Sequence, residues 1–207
     1  MKLYMLTISI AAGLASAQQT ANTLTPKETT EGWKVLFNGK SLEGWEARAT
    51  SAAPATGDWK VEDGTISCPG TSAGWLATEE TFSNFVLRLQ FRGGERVNSG
   101  VFLRSEKEGQ PHITGYELQI WDYQPAGYNT GSLVGSLKAS PVKIVGDEWN
   151  NYEIRAEGDH FVIVLNGKTL LDDRDSKHAS GVIGFQCQKG NSIQFRNIRI
   201  RALKKED

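Results

Sequence analysis

The stretch Gly115 to Asp122, which reads GYELQIWD, sets a carboxylate, an amide and a broad aromatic ring at alternate positions. Side chains alternate along a β-strand, so Glu117, Gln119 and Trp121 would share one face, and the apolar residues between them would share the other. Carboxylates and amides hydrogen-bond to hydroxyl groups, and a flat ring packs against the apolar face of a sugar. The stretch therefore predicts a strand with one core face and one carbohydrate-binding face.

Two earlier segments show the same alternation. In FVLRLQFR, Arg88 and Gln90 oppose a run of leucine and phenylalanine, and in NSGVFLRS, Phe102 and Arg104 oppose two aliphatic residues. If the three segments are neighbours in one sheet, their polar faces form a single binding surface of arginines, amides, a carboxylate and rings. An ordinary antiparallel sheet with one wet face shows the same alternation. The bulk of the aromatic residues on the polar faces favours the binding surface.

Size and charge narrow the classes of function. The chain has 207 residues, of which 39% are hydrophobic and 23% are charged, and this composition is sufficient for one packed domain. The formal net charge is −1, from 23 basic and 24 acidic residues. A balance this close to neutral does not indicate a nucleic-acid or an anionic-membrane partner.

The first 17 residues are typical of a secretory signal peptide. A lysine precedes an apolar run, and the run ends at the small residues Ala15, Ser16 and Ala17. The apolar run is too short to span a membrane as a helix. We therefore expect an exported protein, periplasmic or extracellular in a bacterium, whose mature chain begins near Gln18.

The remaining chain predicts an all-β fold. Residues 18–30 are polar and rich in threonine, and we interpret them as a flexible leader. Residues 31–203 consist of short apolar runs separated by turn dipeptides such as Asn166-Gly167, which is typical of an antiparallel β-sandwich of the jelly-roll kind. A change of parity near Asn197 predicts a β-bulge in the last strand. Residues 204–207 form a charged tail.

Cys68 and Cys187 are the only cysteines of the chain. Two cysteines in an exported protein are compatible with a disulfide and equally with two separate buried thiols. Nothing in the strand positions brings the two Cα atoms within bridging distance, so we predict two free thiols.

Eight segments carry a family resemblance. The chain resembles the bacterial DUF1080 family, also called the 3-keto-disaccharide hydrolase domain, from Glu31 to Leu203. The resemblance implies a concanavalin A-like, laminarinase-type jelly roll and an action on 3-keto-glycosides. The segments follow in the family's order: LFNGKSLEGW, WKVEDGTI, GWLATEETFSNFVLRLQFR, NSGVFLR, GYELQIWD, DEWNNYEI, VLNGK and GVIGFQCQKGNSIQFRNIRI.

The chain departs from the wider fold family at two places. Laminarinase-type glucanases carry an E-x-D-x-x-E strand, and the matching positions here are Glu117, Gln119 and Asp122. An amide replaces the middle acid, and the shorter aspartate replaces the last glutamate. These replacements disfavour double displacement, which needs two carboxylates about 5–5.5 Å apart. Many members of the resembled family have a histidine after G-x-I-G-x-Q, where this chain has Cys187, Gln188 and Lys189, so histidine-dependent chemistry does not carry over.

A ketone at C3 of a sugar acidifies the proton at C2, and one base is then enough to start elimination of the glycosidic oxygen at C1. Addition of water completes a net hydrolysis. We predict Glu117 as the base and Asp122 as a second catalytic candidate. Arg88 and Arg104 are predicted to stabilise the enolate oxygen. Each of these two arginines is alternatively a cross-strand partner of Glu117 or Glu153. The predicted substrate-binding residues are Arg88, Gln90, Arg104, Gln119 and Trp121.

The sequence leaves the cofactor and two alternative functions open. Enolate chemistry is compatible with a divalent metal without requiring one, and no cofactor is indicated with certainty. The three histidines show no ligand spacing, and only His112, which precedes the key strand, is retained as a candidate. Two alternatives remain for the function: a non-catalytic carbohydrate-binding module and a laminarinase-like glucanase.

Overall fold

The computed structural model describes residues 21–50 and 54–204, so the predicted signal peptide and most of the predicted charged tail lie outside the described residues. Within those ranges nearly every element is a short strand, as expected for brief apolar runs separated by turn residues. No helix in the described part is long and apolar enough to cross a membrane. In chain order the elements are α1 (Pro26–Thr30), β1 (Lys34–Val35), β2 (Trp45–Arg48), β3 (Lys60–Glu62), β4 (Thr65–Cys68), β5 (Gly74–Phe82), β6 (Phe85–Gly93), β7 (Ser99–Ser105), α2 (Pro111–Thr114), β8 (Tyr116–Ile120), β9 (Asn150–Glu157), β10 (His160–Leu165), β11 (Lys168–Arg174), β12 (Gly181–Cys187) and β13 (Ile193–Ala202).

The strands form two antiparallel sheets around one core. The smaller sheet has the order β2-β5-β12-β7-β8, and the larger has the order β11-β10-β9-β6-β13-β4-β3, with β1 also paired to β13. Apolar side chains from both sheets fill the space between them. The rings of Phe185, from the smaller sheet, and Phe195, from the larger, stack with centroids 4.1 Å apart. The predicted antiparallel β-sandwich is confirmed.

Two local predictions are also confirmed. Asn166 and Gly167 have φ values of 49° and 80° in the turn between β10 and β11, as a type I′ hairpin turn requires. The register of β13 on β6 shifts between Arg196 and Arg199, and Asn197 within the shift has a φ of 53°. This is the predicted bulge, and it keeps the apolar residues on both sides of it in the core.

The prediction that three polar strand faces form one surface is wrong. β6 lies in the larger sheet between β9 and β13, whereas β7 and β8 are neighbours in the smaller sheet. β6 and β7 are consecutive in sequence, yet the chain changes sheets between them. Alternation identifies which side of a strand faces outward, but it carries no information about which sheet the strand joins.

Part of the predicted leader, from Asn22 to Thr30, contacts the sandwich. Thr25 and Glu28 form a capping box at α1, each side chain accepting a hydrogen bond from the other's backbone N–H. Glu28 pairs with Arg199 of β13 at 2.7 Å. Asn22 and Asn197 exchange hydrogen bonds of 2.6 and 2.8 Å between backbone N–H groups and side-chain oxygens. These partners are more than 170 positions away in the chain, so polar composition alone did not reveal them.

The prediction of two free thiols is wrong, because Cys68 and Cys187 form a disulfide. Their Cα atoms lie 6.0 Å apart, within the ordinary bridging range. Cys68 ends β4 in the larger sheet and Cys187 ends β12 in the smaller sheet. The bond therefore joins the two sheets, an arrangement that depends on how the sheets stack.

Candidate functional site

Two rows of register partners cross the outer face of the smaller sheet, the face turned away from the core. In the first row, Trp75 of β5 pairs with Gln186 of β12, and Gly100 of β7 pairs with Gln119 of β8. The residues that alternate with them, such as Leu118, point into the core.

The second row contains the residue that the sequence singled out as a base. Ala77 pairs with Gly184, and Phe102 pairs with Gly184 on one side and with Glu117 on the other. We call the residues of these two rows the floor. Trp75, Ala77 and Phe102 belong to an apolar cluster separate from the main core, so the floor has an aromatic centre with a carboxylate at one end.

Glu117 is buried on the floor without a partner. Its residue is 6% exposed, and no hydrogen bond or ion pair within residues 21–50 and 54–204 reaches its carboxylate. The side chain lies against Gly100, where an added Cβ would stand 2.9 Å from Glu117 Cγ and Oε1. Burial raises the pKa of Glu117 to about 7, which suits a group that must accept a proton near neutral pH.

A second glycine gives Trp75 its position. A Cβ on Gly184 would lie 2.7 Å from Trp75 Cε3, so the indole occupies the space that a larger residue would fill. The indole contacts the ring of Phe102, with ring centroids 5.6 Å apart in a T-shaped arrangement. Glycine at 184 is therefore required for the aromatic centre of the floor.

A cavity of about 280 Å³ opens beside the floor. The sheet contributes aromatic and amide side chains to its lining, and α2 with its N-cap contributes Gln110, Pro111 and His112. Phe102, the register partner of Glu117, is part of the lining, so the cavity reaches the strand next to the carboxylate. The lining residues are Thr50, Ala73, Gly74, Trp75, Phe102, Gln110, Pro111, His112, Gln186, Cys187 and Gln188.

Gln119 and Trp121 follow Glu117 along the same strand face. Gln119 is buried on the floor, and its Oε1 accepts a hydrogen bond of 3.1 Å from the backbone N–H of Ile120. Trp121 comes immediately after β8 and is half-buried. Gln119 and Glu117 therefore occupy neighbouring rows of the floor, as the sequence predicted for the strand.

The carboxylate of Asp122 is hydrogen-bonded to the long loop that follows β8. The carboxylate accepts hydrogen bonds from Thr130 Oγ1 at 2.5 Å and from the backbone N–H of Ile144 at 2.9 Å. These two bonds tie two points within the loop to the end of the strand. The observed contacts of Asp122 thus hold the loop in position.

Arg104 does not join the floor. It has a φ of 55° at a register shift between β7 and β12, so the alternation predicted for this strand breaks at Arg104. Its guanidinium is buried 5.1 Å from the ring centroid of Phe161, a core residue of the larger sheet. Nε and Nη1 donate hydrogen bonds to the carbonyl oxygens of Ser83, Gly158 and His178. The guanidinium therefore ties three loops together on the core side.

Arg88 and Gln90 lie on the outer face of the larger sheet, away from Glu117. Arg88 Nε donates a hydrogen bond of 2.6 Å to Glu153, the cross-strand alternative that the sequence left open. Gln90 accepts hydrogen bonds from Arg196 and Asn197. The structure therefore separates these two predicted binding residues from the predicted base.

The structure also places His112 and shows which potential metal ligands lie close together. His112 lies in α2 at the cavity, and partial desolvation lowers its pKa, so its imidazole is neutral at pH 7. The described part of the chain brings three potential metal ligands together at Asp58, Cys68 and Cys187. The two sulfurs are joined to each other and are not thiolates, so this donor set does not fit a divalent ion.

Trp75 and Gln186 were not predicted as site residues. Both carry a usable signal in hindsight: Trp75 and Ala77 alternate with core residues in GWLAT, and Gln186 does so in GVIGFQC. What the alternation could not supply is the pairing of these two strands with each other, which brings the residues into one row.

Glu117→Gln is expected to stabilise the fold at alkaline pH. The pKa of Glu117 in the folded chain, about 7, lies above its usual value of 4.5, so ionisation is easier in the unfolded chain. The carboxyl group imposes no penalty below about pH 4.5, and the penalty grows to on the order of 3 kcal/mol as pH rises past 7. Urea unfolding at pH 4.5 and pH 8 measures the difference: the variant should match the wild type at pH 4.5 and exceed it at pH 8.

Glu79→Gln is the matched control, because Glu79 is an exposed carboxylate on β5 of the same sheet. Its stability difference from the wild type should stay within about 0.5 kcal/mol at both pH values. Equal pH dependence in the wild type and in Glu117→Gln would contradict the raised pKa.

Comparisons with known proteins agree with the fold and with a carbohydrate-related family. Residues 32–201 match the family described as the 3-keto-alpha-glucoside-1,2-lyase-like domain. Two Parabacteroides distasonis proteins, each described as a candidate glycosyl hydrolase, have similar structures. One is 23% identical with a TM-score of 0.77, covering 89% of this chain and 100% of the other. The second is 26% identical with a TM-score of 0.68, covering 83% of this chain and 99% of the other.

A binding module shares the same sandwich. The carbohydrate-binding module CBM66 of Bacillus subtilis is 18% identical with a TM-score of 0.58, and the match covers 75% of this chain and 94% of the module. Together with lectin domains of the same architecture, this likeness confirms the predicted concanavalin A-like class. No curated protein matches the chain by sequence.

Proposed function

Because the chain belongs to the 3-keto-alpha-glucoside-1,2-lyase-like domain family, we propose that it cleaves the glycosidic bond of 3-keto-glucosides. The reaction is elimination across C1 and C2, followed by addition of water. The family is named for lyase-like activity, and similar structures are described as candidate glycosyl hydrolases. Both descriptions fit a route in which elimination and hydration together equal hydrolysis.

One observation carries the proposal: Glu117 is a buried carboxylate that has no partner within the described part of the chain, and its pKa is raised to about 7. A carboxylate kept for stability would be expected to have a hydrogen-bond or ion-pair partner at this depth. A desolvated carboxylate is a stronger base than one in water, and a pKa near the working pH leaves a large fraction in the basic form. Perturbed values of this kind cluster at functional sites.

In the proposed reaction Glu117 removes the proton from C2 of the 3-keto sugar. The electron pair of that bond delocalises onto the C3 oxygen as an enolate and then forms the C1–C2 double bond as the C1–O bond breaks. The leaving oxygen takes up a proton, for which protonated Glu117 is the nearest source, and departs as an alcohol. Water then adds across the double bond, its hydroxyl to C1 and a proton to C2, and yields the free 3-keto sugar.

The neighbouring residues have binding roles in this proposal. Gln119 binds a sugar hydroxyl from the adjacent row of the floor, and Trp121 forms a wall beyond it. His112 lies across the cavity as a neutral imidazole, which suits hydrogen bonding to a hydroxyl or a carbonyl. Arg88 and Arg104 are left out, since both guanidinium groups are engaged elsewhere.

A second candidate function is a carbohydrate-binding module without catalysis. The observation in its favour is the shared sandwich of the CBM66 module, together with Asp122, whose carboxylate is held by its own loop. An aromatic floor beside a polar cavity binds glycans whether or not a bond is broken.

Turnover assays with matched substrates separate the candidates. The mature protein is incubated with a 3-keto-glucoside and, separately, with the unoxidised glucoside, and release of the alcohol is followed over time. Cleavage of the keto compound alone is the expected result. Binding of both compounds without cleavage would support the module, and cleavage of the unoxidised glucoside would support a glucanase-like hydrolase.

Export is part of the same proposal. The disulfide between Cys68 and Cys187 supports it, because such bonds form and persist in oxidising compartments such as the periplasm. N-terminal sequencing of material from the periplasm or medium should give a start near Gln18, and an intact Met1 there would contradict export by signal cleavage.

A further inference from the structure

Two register partners on the floor each carry a buried polar side-chain atom that no described residue satisfies. Trp75 Nε1 and Gln186 Oε1 are both buried, and neither has a hydrogen-bond partner among residues 21–50 and 54–204. The two residues are register partners on adjacent strands. One atom is a donor and the other is an acceptor, so together they present the complement of a hydroxyl group, which accepts one hydrogen bond and donates another.

The surroundings argue against an accidental pair. Buried polar atoms are satisfied in the great majority of cases, and each exception calls for an explanation. Trp75 and Gln186 both line the 280 Å³ cavity, so a ligand approaches both from the same space. Gly184 supplies the room in which the indole lies.

The position of the pair relative to Glu117 indicates which part of a substrate it meets. Trp75 on β5 is three strands away from Glu117 on β8, and Gln186 on β12 is two strands away. The corresponding distances between strands are about 14 Å and about 10 Å, farther than the single sugar ring that undergoes reaction at Glu117 extends. Phe102 lies between them, contacting Trp75 and pairing with Glu117.

From this arrangement we infer that Trp75 and Gln186 form a second sugar subsite. It binds one hydroxyl of the sugar unit attached to the 3-keto unit held at Glu117. The indole N–H donates to the hydroxyl oxygen, and the hydroxyl donates to Gln186 Oε1. The inference rests on the proposed function for the position of the first sugar, and it selects substrates whose leaving group is itself a sugar.

Calorimetric binding tests the subsite, in the Glu117→Gln background so that ligand is not consumed. The probes are a 3-keto-glucosyl disaccharide and methyl 3-keto-glucoside, which lacks the second sugar. Trp75→Phe keeps a ring without the donor, and Gln186→Leu keeps the length without the acceptor. Each should raise the Kd for the disaccharide about tenfold and change that for the methyl glucoside by less than about twofold.

The variant that combines both substitutions tests whether Trp75 and Gln186 bind the same hydroxyl. Because both residues bind the same hydroxyl, Trp75→Phe combined with Gln186→Leu should weaken disaccharide binding by clearly less than the product of the single effects. A disaccharide lacking that one hydroxyl should bind the wild-type floor and both single variants with similar affinity.

Trp59→Phe is the matched control. Trp59 Nε1 is also buried and has no partner in the portion of the chain that the structure describes, but Trp59 is not among the described residues that line the cavity. Its replacement should leave both affinities unchanged, so a loss in the Trp75 variant cannot be ascribed to removal of any buried indole N–H.

Distinct results overturn the subsite and the function. Unchanged disaccharide affinity in the Trp75 and Gln186 variants, or equal losses for both probes, overturns the subsite. If the wild type binds the disaccharide through this pair yet cleaves neither probe, the subsite stands and the catalytic proposal fails. If the wild type cleaves both probes and the pair has no effect on binding, only the subsite fails. If it binds neither probe, both fail.

Discussion

Replacing Glu117 by glutamine is expected to lower the turnover of a 3-keto-glucoside by about 10²–10⁴-fold, the usual contribution of a general base. Glutamine keeps the size of the side chain but cannot accept the C2 proton at neutral pH. The space against Gly100 remains filled, so substrate affinity should fall little. Steady-state kinetics should therefore show a loss in kcat that is much larger than any rise in KM.

The pH dependence of the wild type gives an independent check of the same role. The base must be ionised to act, so kcat/KM should rise as pH increases through about 7, the value to which burial raises the pKa of Glu117. A rise in kcat/KM centred near pH 4.5, the ordinary pKa of this side chain, would instead indicate that an exposed carboxylate is the base.

Glu153→Gln is the matched control for turnover, because Glu153 is a carboxylate on the outer face of the other sheet, paired with Arg88. It should retain nearly full activity. Near-full activity in Glu117→Gln would show that the base lies elsewhere, and Asp122→Asn and His112→Gln would then be the variants to measure.

Removal of the disulfide is expected to have the second-largest effect. Cys68 and Cys187 close a loop of 119 residues and join the two sheets. Loss of such a bond typically costs about 2–5 kcal/mol, which corresponds to a fall in Tm of roughly 4–20 °C for a chain of this size. Thermal unfolding of Cys68→Ala/Cys187→Ala beside the wild type measures it.

A reducing agent separates the bond from the packing of the two side chains. The wild type should lose stability when it is reduced, whereas the double variant should be indifferent to the same treatment. Because Cys187 also lines the cavity, the reduced protein should bind sugar ligands more weakly than the oxidised protein at the same temperature. A wild type whose Tm does not respond to complete reduction would show that the bond adds nothing to stability.

The fold was predictable because its signals are local. Short apolar runs, the Asn166-Gly167 turn and the parity change near Asn197 each concern a few consecutive residues. All of them survive in the structure, since a strand must alternate and a tight turn needs positive φ wherever it lies. The outward orientation of Glu117 was predictable for the same reason.

Predictions that required two distant segments to meet were the ones that failed. Arg88 shares the alternation of Glu117 but belongs to the other sheet. Arg104 leaves its expected face because a register shift with β12 breaks the alternation. The contact of Glu28 in the leader with Arg199 was not predicted, because Arg199 lies near the far end of the chain.

By itself, then, the sequence determined an all-β chain with Glu117 on an outward strand face, because alternation and turn chemistry act over a few residues. Only the tertiary structure decided that this carboxylate is buried without a partner among the residues described, that Trp75 and Gln186 share its sheet, and that Cys68 meets Cys187. Burial and pairing depend on which strands become neighbours and how the sheets stack. The free energy of that choice is spread over the whole core, so no local pattern of residues records it.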